Sequence, residues 1–255
     1  MLNIFGKSIC GRRKNNQDSI YFETKDDCFI MAVSDGVGGS YGGEIASEIV
    51  VCQCRDVFLE FAEKPDIYNG KFIIRQIYFR SHKNIVNEIK KNPKLKDMGT
   101  TLTLVLGYND RYVVGNIGDS RTYLISNDKI NKITRDHSYL QEYMDQFANG
   151  EIPPMIARQL GHIITRSISS IQEEIDIYPS NFNYFKVKDN EIFLLCSDGL
   201  FTDIVHPDSH FIIDELNCSK SMEEFVENLI EKSLHMGSMD NISTIVGSNS
   251  EKYWR

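Results

Sequence analysis

The chain has 255 residues, 41% of them hydrophobic and 25% charged, and its formal net charge of -8 argues against a nucleic-acid partner, because phosphate contacts need a surplus of Lys and Arg. No apolar run approaches the roughly 18 residues of a membrane span, and the first residues lack the apolar region of a signal peptide, so we predict a cytoplasmic protein. No linker, low-complexity tract or repeat divides the sequence, so we expect one domain over residues 1–255.

The N-terminal part predicts a polar loop and two strands, the second of which ends on a carboxylate. Residues 11–18 are polar and lack a hydrophobic period, and residues 19–23 contain strand-forming Ile, Tyr and Phe. In residues 29–39 an apolar run stops at Asp35 and continues into glycines. A charge at the end of a buried strand is unfavourable unless it is paired or binds a cation, so Asp35 needs a partner.

Two long helices are predicted next, followed by an antiparallel meander. Residues 42–62 and 71–91 carry apolar side chains at helical spacing, and Pro93 ends the second helix. Four strands with β-branched residues follow, at residues 100–107, 111–117, 121–126 and 129–134. Asn-Asp turn dipeptides join two pairs of these strands, which is typical of antiparallel neighbours. Asp119 stands at another strand end, between the second and third strands of the meander.

The C-terminal part predicts a second buried strand that ends like the first. Residues 192–196 form an apolar run that leads into Ser-Asp-Gly at Asp198, and Asp240 precedes the last strand. Further helices are predicted at residues 138–161 and 221–235, and further strands within residues 165–178 and at residues 242–246. Ser221 and Glu224 form a capping box at the start of the last helix. The element order indicates an α+β protein with stacked antiparallel sheets covered by helices.

The aspartates at strand ends suggest a divalent metal site. The candidates are Asp18, Asp35, Asp119, Asp198 and Asp240. Carboxylates are hard oxygen ligands that suit Mg²⁺ or Mn²⁺, whereas zinc prefers His or Cys. Gly36 lets the backbone approach an ion, so its carbonyl is a further candidate ligand. Two such ions about 3.5 to 4 Å apart would activate water for phosphate hydrolysis. The alternative is that each aspartate only caps a turn.

Arg13 is the candidate phosphate-binding residue, because a guanidinium binds phosphate through two parallel hydrogen bonds. The alternative is a solvated arginine beside Arg12 and Lys14. Two competing phosphate motifs fail. The Gly-Lys-Ser at residues 6–8 lacks the first glycine of a P-loop, and the glycine pattern from residue 36 lacks the last glycine of a dinucleotide fingerprint.

Eight short motifs resemble those of the metal-dependent protein serine/threonine phosphatases of the PP2C (PPM) family, in their bacterial form. In family order they are Arg13-Lys-Asn-Asn-Gln-Asp18, Ser34-Asp-Gly-Val-Gly-Gly39, Met98-Gly-Thr-Thr-Leu-Thr103, Gly115-Asn-Ile-Gly-Asp-Ser-Arg121, Thr134-Arg-Asp-His137, Ile164-Thr-Arg-Ser167, Ser197-Asp-Gly-Leu200 and Asp240-Asn241. They extend from about residue 8 to residue 247, which is nearly the whole chain. One motif would be weak, but the ordered set is highly specific.

The resemblance implies a β-sandwich of two antiparallel sheets flanked by helix pairs, a four-layer αββα arrangement, with two Mn²⁺ or Mg²⁺ ions at one end. By the resemblance, Asp35 matches the carboxylate that bridges both ions, and the Gly36 carbonyl matches a ligand of the second ion. Asp198 and Asp240 match the other ligands of the first ion. Asp119, with Asp198, matches the third metal site of bacterial members.

The resemblance also implies the reaction. Arg13 matches the phosphate-binding arginine, and Asp18 matches the carboxylate that holds a metal-bound water. Activated water would attack phosphoserine or phosphothreonine directly, without a phosphoenzyme, and the expected partners are phosphoproteins, with a serine/threonine kinase whose action the phosphatase reverses in signalling. Two other interpretations stay open: a catalytically silent phosphoprotein-binding module, and a phosphatase of a non-protein phosphomonoester.

The sequence departs from the family pattern in three places. Gln17 stands where animal members have a glutamate ligand, so the second ion is expected to be held with fewer charges and more waters. Val37 replaces a histidine proposed as general acid in some eukaryotic members. Ser169 and Ser170 replace a Gly-Asp pair, so substrate contacts of the flap, about residues 141–170, do not carry over. His137 matches a family position, but a core or turn role is the better interpretation.

Overall fold

The computed structural model describes residues 2–37, 42–126, 129–146, 155, 160–161, 163–170, 184–186, 188, 190–201, 209–249 and 254. Within them the chain forms two antiparallel sheets and five α-helices that have described bounds. In this part of the chain no helix has the length and apolarity needed to cross a bilayer.

The first sheet joins both ends of the described chain. Its strand order is β1 (Asn3–Ile9), β12 (Ile242–Ser248), β11 (Ile192–Cys196), β7 (Arg121–Ser126) and β8 (Lys129–Lys132). Every described pair is antiparallel. The last strand therefore lies inside the sheet, between the first strand and β11.

The second sheet is built around β3. Its strand order is β10 (Tyr184–Lys186), β6 (Arg111–Ile117), β5 (Leu102–Tyr108), β3 (Cys28–Val37), β4 (Gly99–Thr100) and β9 (Ile168–Ser169), with β2 (Asp18–Lys25) paired to β3 as well. β3 pairs with β5 over its first part and with β4 at its end, and β2 runs along its other edge.

Helix pairs cover the outer faces of both sheets. The helices are α1 (Gly43–Glu63), α2 (Gly70–Lys91), α3 (Tyr139–Gln146), α4 (Ser209–Cys218) and α5 (Met222–His235). Apolar side chains of α1 and α2 pack on the second sheet, and those of α4 and α5 pack on the first. A third apolar cluster, which includes Met31 and Phe193, lies between the sheets. The predicted four-layer αββα sandwich is confirmed.

The predicted helices are confirmed where the structure describes them. α1 and α2 end within one residue of the predicted bounds because their apolar period is regular. Ser221 caps α5 by accepting from the Glu224 N–H at 3.1 Å, but the Glu224 carboxylate accepts from the Lys220 N–H, one residue earlier than a capping box requires. α3 confirms the start of the helical region predicted at 138–161, much of whose remainder lies outside the described residues.

The strand predicted at residues 100–107 is divided in two. Thr101 leaves the ladder between β4 and β5, because its N–H donates to the Asp35 carbonyl and its Oγ1 accepts from the Asp35 N–H. The strand predicted at 129–134 ends at Lys132, since Thr134 uses its hydroxyl, not its backbone, to accept from the Thr122 N–H at 3.0 Å. A threonine hydroxyl takes part in each change, and the hydrophobic period of the sequence does not report such hydrogen bonds.

Candidate active site

On the second sheet, Asp18 and Asp35 are direct neighbours. Asp18 is the first residue of β2, and the antiparallel register places it opposite Asp35 near the end of β3. Asp18 is buried and Asp35 is half-buried. The sheet therefore presents two carboxylates side by side, where β2 begins and β3 nears its end.

On the first sheet, Asp198 and Asp240 meet because β11 and β12 are paired. Asp198 begins a single 3₁₀ turn directly after β11, and Asp240 lies two residues before β12. A methyl group on Gly199 would lie 1.9 Å from the Asn241 carbonyl oxygen and 3.2 Å from the Asp240 Cβ. The two turns thus pack so closely that only glycine fits between them.

Ser197 links the carboxylates of the two sheets. Its hydroxyl donates to Asp18 Oδ2 at 2.8 Å and accepts from the Ser243 N–H at 3.0 Å. Because Ser197 is fully buried, this bond fixes Asp18 relative to the strand that carries Asp198. The sequence prediction missed this role, although a serine before the aspartate recurs in both Ser-Asp-Gly segments.

Four of the predicted aspartates act electrostatically on the fifth, Asp35. Burial raises the pKa of Asp35 well above its usual range, and four further carboxylates raise it again: Asp18, Asp198, Asp119 and Asp240. Burial and the charge of Asp198 also raise the pKa of Asp119, which is 6% exposed. Burial raises the pKa of Asp18 to about 6, although hydrogen bonds from Ser243 and Ser197 oppose the shift. The sequence-predicted residues therefore form one cluster.

The cluster suits a divalent cation by charge and by donor type. The raised pKa values of Asp35, Asp119 and Asp18 indicate that these three carboxylates lack enough compensating positive charge, and carboxylate oxygens are the donors that Mg²⁺ and Mn²⁺ prefer. In the described part of the chain, no group of three or more Asp, Glu, His or Cys side chains is arranged so that it could hold a metal ion without movement. Arg13 holds Asp240 and Ser197 holds Asp18, so ligation requires side-chain rearrangement. The individual ligand roles stay predictions.

Two threonines fix the backbone of Asp35. Its N–H donates to Thr101 Oγ1 at 3.0 Å, and its carbonyl accepts from the Thr101 N–H and from Thr100 Oγ1, both at 2.8 Å. The Thr101 hydroxyl lies 2.7 Å from that of Ser120, the residue after Asp119. Thr101 therefore connects the turns that carry Asp35 and Asp119, a role that the sequence prediction did not assign.

Gly36 has no space for a side chain. A methyl group there would lie 2.3 Å from the Gly43 carbonyl oxygen and 2.6 Å from that of Gln17, and the Gly36 N–H donates to the latter at 3.1 Å. The Gln17 side chain donates to the Glu44 carboxylate at 3.0 Å. This side of the cluster thus keeps an acidic group, on Glu44, close to the position where animal members have a glutamate.

The adjacent arginines Arg12 and Arg13 have different contacts. Arg13 Nη2 donates to Asp240 Oδ2 at 2.8 Å, and 58% of its side chain is exposed. Arg12 Nη2 donates to the Leu234 carbonyl near the end of α5, and its Nη1 lies 3.5 Å from the Met239 sulfur. Arg13 is therefore the arginine that lies at the aspartate cluster with exposed surface, which is what phosphate binding requires.

His137 holds the turn before Asp119. The ring Nδ1 of His137 accepts from the Gly118 N–H at 3.1 Å, and the backbone N–H of His137 donates to the Gly118 carbonyl at 2.9 Å. His137 is 5% exposed, which agrees with the predicted turn role. Its carbonyl also accepts from the Thr165 N–H at 2.8 Å, so it connects this turn to the predicted flap region. Residues 147–154, 156–159 and 162 of that region lie outside the described residues.

Comparison with known proteins gives consistent similarities. The protein phosphatase 2C family profile matches residues 5–236. The serine/threonine phosphatase stp of Listeria welshimeri is 30% identical over 238 residues, which are 92% of this chain and 90% of that protein. The serine/threonine protein phosphatase PstP of Mycobacterium tuberculosis is 29% identical, and this chain spans 42% of that longer protein.

Solved structures show the same fold. The catalytic domain of PstP, in complex with two manganese ions, superposes with a TM-score of 0.79 at 29% identity and covers 97% of each chain. Stp1 from Staphylococcus aureus superposes with a TM-score of 0.81 at 26% identity over 97% of this chain and 95% of that one. The similarity therefore includes both sheets and the helices that cover them.

Proposed function

The chain belongs to the protein phosphatase 2C family as a bacterial-type, metal-dependent serine/threonine phosphatase, and from that premise we propose that it hydrolyses phosphoserine and phosphothreonine in proteins with two divalent cations, Mn²⁺ or Mg²⁺. The observation that carries this proposal is the cluster of five carboxylates, four of which raise the pKa of Asp35, beside the exposed guanidinium of Arg13. We further propose that residues 1–255 act as one domain and that the enzyme works in the cytoplasm.

The ligand assignment follows the resemblance to the family. Asp35 would hold both ions, the Gly36 carbonyl would bind the second, and Asp198 and Asp240 would bind the first. Asp119 would share a third site with Asp198. When bound, the cations neutralise the phosphoryl charge and lower the pKa of water.

The remaining groups bind and orient the reactants. Arg13 binds two phosphoryl oxygens through guanidinium N–H groups that its single hydrogen bond to Asp240 leaves available. Asp18, held by Ser197, accepts a hydrogen bond from the attacking water and so aligns the water with phosphorus. Attack forms the new P–O bond and breaks the bond to the serine or threonine oxygen. Val37 has no proton to give, so the leaving oxygen takes its proton from water or from another residue.

The substrate class implies the partners. A serine/threonine phosphatase acts on phosphoproteins, and we propose that this one reverses a serine/threonine kinase in a signalling pathway. A matched test is dephosphorylation of lysate proteins first labelled by such a kinase, with release of phosphate from serine and threonine measured separately.

The activity is tested with a phosphothreonine peptide and Mn²⁺. Phosphate release is expected to stop with a chelator and to fall at least about 100-fold in Asp198→Asn, because a metal ligand is lost. Glu63→Gln, an exposed change on α1, is the matched control. Activity that is indifferent to chelator and to Asp198→Asn would contradict the proposal. Tight phosphopeptide binding without turnover would point instead to a silent binding module, and turnover of small phosphomonoesters alone would point to a non-protein substrate.

A further inference from the structure

The segment between β1 and β2, residues 10–17, carries Arg13 but has no regular secondary structure of its own. Its sequence is polar, so apolar packing does not fix it. A guanidinium binds phosphate through two parallel hydrogen bonds only when its backbone is held in the correct position. The contacts that hold this segment therefore matter for the site.

The side chain of Asn241 makes three of these contacts. Its Nδ2 donates to the Cys10 carbonyl at 2.9 Å and to the Asn15 carbonyl at 2.8 Å, and its Oδ1 accepts from the Gln17 N–H at 2.9 Å. Asn241 is only 5% exposed. The amide NH₂ and the amide oxygen of Asn241 thus form hydrogen bonds with the backbone on both sides of Arg13. Arg13 lies in the middle of a segment that is fixed at both ends.

Residues that precede Asn241 in the sequence contact the segment at two further points. Gly11 has a φ of +59°, and a methyl group there would lie 2.1 Å from the Asp240 carbonyl oxygen, so the segment lies directly on the residue before Asn241. Arg12 is anchored to Leu234 and Met239. The backbone around Arg13 is therefore fitted to the turn that precedes β12.

We infer that Asn241 is a positioning residue for Arg13 and, through it, for the phosphate group of the substrate. This inference rests on the proposed role of Arg13. Asn241 does not touch the substrate. It uses an amide where a carboxylate would fail, because two of its three partners are carbonyl oxygens that need a donor.

The test is a double-mutant cycle between Asn241→Ala and Arg13→Ala, at saturating Mn²⁺ and with a phosphothreonine peptide. In the wild-type background, Asn241→Ala is expected to lower kcat/KM by about tenfold or more, mainly through KM, as loss of several buried hydrogen bonds predicts. In the Arg13→Ala background, the same change is expected to lower kcat/KM by less than about threefold, because its effect acts through Arg13.

Inhibition by inorganic phosphate gives a second measurement. The inhibition constant is expected to rise about tenfold in Asn241→Ala and to be insensitive to that change once Arg13 is removed. The Mn²⁺ affinity of Asn241→Ala, measured by calorimetry, is expected to stay within about threefold of the wild-type value. An unchanged affinity shows that the variant displaces Arg13 and not the neighbouring proposed ligand Asp240.

Asn116 supplies a matched control. It is a buried asparagine whose Nδ2 also donates to two backbone carbonyls, those of Gly118 and Arg135, but it does not contact the segment that carries Arg13. Effects of Asn116→Ala and Arg13→Ala are therefore expected to multiply without coupling. If Asn241→Ala does not fold, Asn241→Ser replaces it in the same cycle.

The outcomes separate the inference from the proposed function. Strong coupling between positions 13 and 241, absent for position 116, supports the inference. An active enzyme in which Arg13→Ala is impaired but Asn241→Ala acts independently overturns the inference and leaves the proposed function standing. Wild-type protein without metal-dependent phosphatase activity, or with activity indifferent to Arg13→Ala, overturns the inference together with the catalytic role proposed for Arg13.

Discussion

The charge on Asp35 lowers the stability of the metal-free fold, because its pKa is raised by burial and by four neighbouring carboxylates. Function and stability therefore oppose each other at this residue. The same charges that repel one another without metal attract a divalent cation.

Asp35→Asn is predicted to raise the free energy of unfolding of the metal-free protein by about 1 kcal/mol, since a carboxylate without a compensating cation is removed from the cluster. Phosphatase activity is expected to be lost in the same variant. Urea unfolding in chelator measures the first effect, and phosphate release with Mn²⁺ measures the second. A variant less stable than wild type in chelator would contradict the electrostatic explanation.

The sequence predicted which carboxylates cluster but not what holds them. Asp35 and Asp198 were visible because each follows an apolar run, which is a local pattern. The contacts of Ser197 with Asp18 and of Asn241 with Cys10 join residues 179 and 231 positions apart, and no local period reports such pairs. The departure of Thr101 from its strand escaped prediction for the same reason.

Among the elements, the segment after β8 is held by a buried ion pair. Arg121, the first residue of β7, donates through Nε and Nη2 to Asp136 Oδ2 at 2.9 and 2.8 Å, and both residues are almost fully buried. The Arg121 guanidinium carbon also lies 5.3 Å from the ring centre of Phe201. The pair thus connects β7 to the segment that contains His137.

Asp136→Asn is predicted to lower the free energy of unfolding by about 3 kcal/mol, because it leaves the Arg121 charge buried without a counter-charge. Lys132→Met is the control. Lys132 contacts the same carboxylate at 3.2 Å, but its side chain is 32% exposed, so a loss below about 1 kcal/mol is expected. Equal losses measured by urea unfolding would show that burial does not decide the strength of this pair.

His137 makes the same segment sensitive to acid. Burial, together with the charges of Arg166 and Arg135, lowers the pKa of His137 to about 4. The unfolded chain binds the proton at its ordinary pKa of about 6.5. Stability supplied by the neutral ring is therefore complete above pH 6.5 and is lost as the pH falls toward 4.

His137→Asn is predicted to remove this dependence, because an asparagine oxygen accepts from the Gly118 N–H without titrating. The free energy of unfolding of the wild type, relative to that of the variant, is expected to fall by on the order of 2 kcal/mol from pH 7 to pH 4. Comparing the two proteins at each pH cancels the titration of the aspartate cluster, whose raised pKa values act in the opposite direction. A constant difference would contradict a buried, neutral His137.

For the whole molecule, the cluster draws carboxylates from both sheets. Asp18 and Asp35 belong to the second sheet, and Asp198 and Asp240 belong to turns of the first. A cation bound between them, as proposed, would add a cross-link to the apolar layer that already joins the sheets. Metal binding should therefore stabilise the complete sandwich and not only the loops.

Mn²⁺ is predicted to raise the free energy of global unfolding by about 2.7 kcal/mol at a concentration 100 times its dissociation constant. Calorimetric melting with Mn²⁺ and with chelator measures the effect. Asp198→Asn is expected to lose most of the shift, whereas Asp110→Asn, whose side chain is 61% exposed, is expected to keep it. A shift confined to local loop protection, without a change in the melting temperature, would contradict cross-linking of the sheets.

The position of β12 inside the first sheet makes this sheet depend on pairing between distant parts of the chain. β12 separates β1 from β11, and Asp240 lies two residues before it. A variant without β12 would leave β1 and β11 without the neighbour that they share. The turns that carry Asp198 and Asp240 would then lose the strand pairing that brings them together, so damage to this one strand would disable the site from a distance.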